Sequence, residues 1–195
     1  MFRLRHPGEP LRSQFSGLCN TDAAAIIEFA VSLPLLVVMV VGIFDFGGAF
    51  NLKQELNNAM REGARFGANQ PTNDLNPAPV TAPPSVDAVR FVVDGYLQNA
   101  HINDCGLSAI PPPASGGGLV WVYNATTGCS LTLTINRGVW VQETTLPGNP
   151  NMLCIKVQIV YPYTWHFNSV IQLLVPGANF ALTNIQSDAT AVNMD

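Results

Sequence analysis

One carboxylate lies deep in the apolar segment "AAAIIEFAVSLPLLVVMVVGIFDF" (residues 23–46): Glu28, with sixteen uncharged residues between it and the next charge, Asp45. In hydrocarbon an ionised acid needs a cationic partner, takes up a proton, or is drawn to the interface. No other residue type is set out for chemistry. The histidines, His6, His101 and His166, fall in separate segments with no i, i+4 pair, and no Cys/His cluster has zinc spacing. The acids of the distal chain are scattered, with no pair for general acid–base work. "SGGGL" lacks the Lys and Ser/Thr of a phosphate loop, and no serine sits in a nucleophile-elbow pattern. The expectation is a non-enzymatic protein with no catalytic residue, no cofactor and no metal.

The elements that place Glu28 follow from the apolar run. Ala23–Phe44 holds 22 residues broken only by Glu28, Ser32 and Pro34. As a helix it covers roughly 33 Å, the thickness of a bilayer's hydrocarbon layer. A core helix of a small domain is not apolar on every face for six turns, so a transmembrane helix is expected over 24–46. Beyond it, Ala49, Leu52, Leu56, Ala59, Met60, Gly63, Ala64 and Gly67 recur at gaps of three and four, an amphipathic extension over 47–68. Lys53, Gln54, Asn57, Asn58, Arg61, Glu62 and Arg65 fill its polar face. Pro34 removes one backbone donor inside this long helix, and Gly42, Gly47 and Gly48 offer close approach to another helix. Asp45 reads as a charge snorkelling at the far side of the membrane.

The remaining chain, 69–195, reads as an α+β head. "NQPTNDLNPAPVTAPP" is a proline-rich linker, and "SVDAVRFVVDGYLQNA" an amphipathic helix with Ser85 as the candidate N-cap. "LVWVYNA" and "CSLTLTINR" read as a hairpin; "GVWVQETT" is either a third strand or a continuation past a bend at Gly138. "MLCIKVQIVYPYTW" and "FALTNIQSDATAV" complete a mostly antiparallel sheet, with "SVIQLLV" between them as helix or loop. Tyr161, Tyr163, Trp165 and Phe167 alternate, which suits either the outer edge of the core or a contact surface. Cys129 is in phase with Leu131, Leu133 and Ile135, whereas Cys154 is in phase with Lys156 and Gln158, so Cys105–Cys129 is the pairing to expect of a single disulfide, with three buried or free thiols the equal alternative. Residues 69–195 carry three basic residues, Arg90, Arg137 and Lys156, against seven acids; with no basic stripe, nucleic acid is not an expected partner.

The order Glu28-Phe29-Ala30, Leu33-Pro34-Leu35-Leu36 and Gly42-Ile43-Asp45-Phe46-Gly47, followed by "MREGAR" at 60–65, resembles the TadE-like family of the Tad/Flp tight-adherence pilus system. The resemblance implies a pilin-like fold, the long helix packed on a small sheet, and a minor pilin or pseudopilin acting in pilus assembly for adhesion or secretion. It implies residues 1–23 as a cytoplasmic leader, residues 24–46 in the bacterial inner membrane, a periplasmic head, and neighbouring pilin helices and assembly proteins as partners. It also implies a cut by a prepilin peptidase between Ala23 and Ala24, which makes Glu28 the fifth residue of the mature chain, with Ala23 where the family usually has Gly. The new amine at Ala24 would lie one helical turn from Glu28, close enough to pair with it.

Two other readings are open. One is a secreted binding domain released by a signal-peptide cut near Ala49; the other is an anchored accessory protein that is never cut. The N-terminus of the mature chain separates the three. The expected result of N-terminal peptide mass spectrometry on the membrane fraction is a start at Ala24; a soluble chain starting at Phe50, or an intact Met1 in the membrane, would point to the other two.

Overall fold

A computed structural model describes residues 21–75, 79–142, 150–168 and 183–193, together with isolated positions 144, 147, 148, 172 and 177. The leader up to residue 20, with His6 and Cys19, and most of the segment expected at 169–175 lie outside the described residues. The elements run α1 (Thr21–Ala68), α2 (Pro84–Asn99), β1 (Val120–Ala125), β2 (Leu131–Gln142), β3 (Asn151–Tyr163) and β4 (Thr183–Val192), with single 3₁₀ turns at Asn73–Leu75 and Leu107–Ala109. The fold is α+β: a long N-terminal helix and a small antiparallel sheet. The chain divides after Phe44 into two compact units.

In the first unit, α1 has no core to face. Ile26, Ile27, Phe29, Val31, Leu35, Leu36, Met39, Ile43 and Phe44 are all exposed, most by 60% or more, so apolar surface surrounds the helix on every side. Among the described residues one helix is long and apolar enough to cross a membrane, consistent with a single-pass protein. The lone hydroxyl of the run, Ser32, donates back to the carbonyls of Glu28 (2.9 Å) and Phe29 (3.2 Å), hiding its polarity in its own helix.

The second unit is the head. Its sheet is an antiparallel meander in the order β1-β2-β3-β4. The alternation read from sequence sets the inner face: Leu131, Leu133 and Ile135 of β2 and Ile155, Val157 and Ile159 of β3 are fully buried. "GVWVQ" continues β2, and the register shifts between Asn136 and Val139, where a Cβ at Gly138 would crowd Leu119. Against this face pack Leu56, Ala59, Met60, Ala64 and Ala68 of α1 and Val86, Val89, Val93 and Leu97 of α2. Small residues let the layers close up. A Cβ at Gly63 would sit 2.6 Å from Val93 Cγ2, and one at Gly67 would collide with Ile155 Cδ1 and lie 2.9 Å from Val89 Cγ2.

Three sequence expectations are corrected here. Ser85 does not cap α2. The helix starts at Pro84, whose missing N–H suits the first helical position, and Asp74 reaches across to accept from both the backbone N–H and the hydroxyl of Ser85 (3.0 Å each). Cys154 is buried despite its outward phase, because it lies between Val139 and Val192 across the two neighbouring strands and the small thiol is covered by them. Asn57 does not face water; it accepts a hydrogen bond from the hydroxyl of Ser187, tying α1 to β4. Cys105 and Cys129 are bonded, with Cα atoms 5.1 Å apart, joining the turn after α2 to the start of β2.

Arg137 continues the inward phase of Leu131, Leu133 and Ile135 and is wholly buried. Its guanidinium donates to the carbonyls of Gln70 (2.9 Å) and Pro71 (3.3 Å) and to the Ser85 hydroxyl (2.9 Å), pinning the linker after α1 to α2 and the sheet. Arg90 is likewise buried, donating to the carbonyls of Leu107 and Ser108 (2.8 Å each) and to Asp87 (2.7 Å). Two of the three basic residues in 69–195 are therefore structural.

Replacing Gly67 by Leu is expected to lower the head's unfolding free energy by about 1–3 kcal/mol, overpacking outweighing the gain of about 0.8 kcal/mol in helix propensity. Thermal denaturation checks it, and an unchanged or raised midpoint would contradict the close packing described.

Candidate functional site

The first site candidate lies in the apolar run. Glu28 is exposed on α1 and lines an open groove of ≈ 650 Å³ with Ala24, Ile27, Val31, Ser32 and Leu35. Ala24 and Glu28 are four residues apart on one face, as expected from spacing. Phe29 is also exposed. A Cβ at Gly42 or Gly47 would meet nothing within 4 Å, so both leave open space beside the helix. Gly48 differs: a Cβ there would lie 3.1 Å from the hydroxyl of Tyr163, so the head itself uses this glycine.

The second candidate opens the head. Asp45 is not the solvent-facing charge expected from the sequence; it is 5% exposed. Its carboxylate accepts from the Tyr163 hydroxyl (3.0 Å) and the Phe167 backbone N–H (2.8 Å), and meets His166 Nδ1 at 3.1 Å. The Tyr163 hydroxyl also lies 3.0 Å from the Asp45 carbonyl. Burial, then the bond to Asp45, pushes the Tyr163 phenol above its usual range, so it stays a donor at neutral pH. The imidazole is largely solvent-exposed, so it adds a charge to the pair only when protonated.

The alternating aromatics close around this point. β3 ends at Tyr163, and Trp165 then packs against Tyr163 (5.0 Å between ring centroids), Phe167 (5.4 Å) and Phe46 (5.1 Å), in tilted or edge-on geometry. The Trp165 indole N–H donates to the Thr183 hydroxyl (2.8 Å), fixing the ring. The sequence pattern gave the alternation, but Asp45 as its anchor was missed. An acid at the end of an apolar run followed 118 residues later by Tyr-x-x-His-Phe carries no local signal of contact.

Among the described residues no group of three or more His, Cys, Asp or Glu side chains is placed to hold a metal ion. The arrangement offers hydrogen-bonded anchoring and apolar contact.

Replacing Asp45 by Ala removes the carboxylate that accepts from the Tyr163 hydroxyl and the Phe167 amide and leaves Tyr163 the backbone carbonyl at position 45, a loss of about 1.5–3 kcal/mol for bonds to a charged group. Hydrogen exchange at the Phe167 amide is expected to quicken by about tenfold or more; exchange equal to that of the parent protein would show that Asp45 does not hold this segment.

Residues 23–65 match a family model described as TadE-like protein. No curated protein and no solved structure matches the chain.

Proposed function

We propose that this chain is a TadE-like minor pilin or pseudopilin, a non-enzymatic membrane component in the assembly of a Tad/Flp-type pilus that serves adhesion or secretion. The observation that carries the reading is the family match over residues 23–65, which spans both the apolar run with Glu28 and the small-residue face on which the head is built. In this reading the leader is cytoplasmic, α1 crosses the bacterial inner membrane, and the head is periplasmic. A prepilin peptidase cuts between Ala23 and Ala24. Neighbouring pilin or pseudopilin helices pack along the run, with Gly42 and Gly47 giving close approach.

Glu28 then has a physical role. Its carboxylate is exposed on a face that would otherwise meet lipid, where a lone charge is costly. A free amine at Ala24, in the same chain or an adjacent one, supplies the missing cation in a low dielectric. The secreted alternative is disfavoured by the head's own anchoring. A cut near Ala49 removes Asp45 and Phe46, which hold Tyr163, Phe167 and Trp165.

Glu28→Ala should insert into the membrane at least as well as the parent, since a charge has been removed, while pilus assembly in the native host falls by about tenfold or more, the scale of one lost ion pair worth ~1.4 kcal/mol or above. Comparing membrane-fraction abundance with sheared surface pili separates the two effects. Normal piliation by the variant would remove the pairing role.

A further inference from the structure

The head begins with a groove that neither Glu28 nor the Asp45 anchor explains. It has a volume of ≈ 710 Å³ and is lined by Phe46, Ala49, Phe50, Trp165, Ile185 and Lys53. Phe46 and Phe50 are about two-thirds exposed, a large apolar area for a head whose other rings are mostly covered. The Trp165 ring is clamped by Phe46, Tyr163 and Phe167 and by its bond to Thr183, so the groove wall is preformed. Among the described residues Lys53 has no ion-pair partner.

Two observations identify the occupant. The groove starts two residues after the membrane-length run ends at Phe44, so insertion of that run brings Phe46 and Phe50 to the level where hydrocarbon gives way to headgroups. Trp and other aromatic rings are favoured at that level. Lys53 lies seven residues beyond Phe46, about 10 Å along a helix, where its ammonium meets the phosphate layer.

We infer that this groove seats a membrane phospholipid, its upper acyl chain against Phe46, Phe50, Trp165 and Ile185 and its phosphate at Lys53. The groove thereby docks the head on the bilayer surface. The inference rests on membrane insertion of the apolar run.

The test is fluorescence quenching of the full chain in phosphatidylcholine–phosphatidylglycerol vesicles carrying brominated acyl chains. Trp140→Phe removes the exposed indole, and Trp121, wholly buried, serves as a constant background. Bromine near the headgroup end should quench Trp165 about twofold more strongly than bromine near the chain terminus. Lys53→Gln should weaken quenching by brominated phosphatidylglycerol more than by brominated phosphatidylcholine. Leu36→Trp, in a Trp140→Phe, Trp165→Phe background, reports insertion of the run independently. If that probe is quenched by deep bromine and Trp165 is not quenched, the lipid site is wrong while the membrane span stands. If neither is quenched, insertion fails and the lipid site with it. Trp165 shielding that grows with the protein-to-lipid ratio would assign the groove to a second copy of the chain and overturn the lipid site.

Discussion

The head depends on how closely α1 can approach the sheet and α2. Ala59, Gly63, Ala64 and Gly67 give that helix an almost bare face, and Val89, Val93, Ile155 and Val157 fill the space where larger side chains would stand. Packing at interior density rewards such contact through many small dispersion terms. The rest is arranged around the seam. The sheet and α2 pack their buried residues onto it, and Arg137 and Arg90 tie down the neighbouring loops by donating to their carbonyls. Those two guanidiniums are buried because backbone carbonyls need strong donors there, which is a different use of basic charge from a binding surface.

Periodicity made most of this legible. The apolar run, the small-residue face over 56–68 and the alternation in β2 and β3 each report a single element against a single environment, and such patterns are local. The meander order was not legible, because alternation does not say which edges meet and a long connection separates β3 from β4. Ser85 was read as a cap from its type and place, but the Pro83-Pro84 pair had already started α2, leaving Ser85 to Asp74 and Arg137. Arg137 carried a usable sign, its inward phase with Ile135, which its charge obscured. Asp45 carried none: its partners lie more than a hundred residues away, and an acid closing an apolar run looks the same whether it meets water or a buried set of donors.

Glu28 and Asp45 divide the acid's options between them. One remains exposed on a helix with no core, and needs a partner from outside the fold. The other is satisfied by its own head through a hydroxyl, an imidazole and a backbone amide. An acid that is internally satisfied serves folding; the pairing proposed for one left exposed in an apolar setting would serve association.

The Cys105–Cys129 bond closes a loop with a sequence separation of 24 that includes the proline- and glycine-rich stretch at 111–118. On a chain-entropy estimate, closing a loop of that size stabilises the fold by about 3 kcal/mol. Such bonds form in oxidising compartments and not in a reducing cytosol. In the proposed orientation a newly made chain therefore stays looser on the cytoplasmic side and gains its final rigidity only after crossing. In that orientation the bond would act as a clock set by compartment, leaving the head pliable before crossing and firm after it.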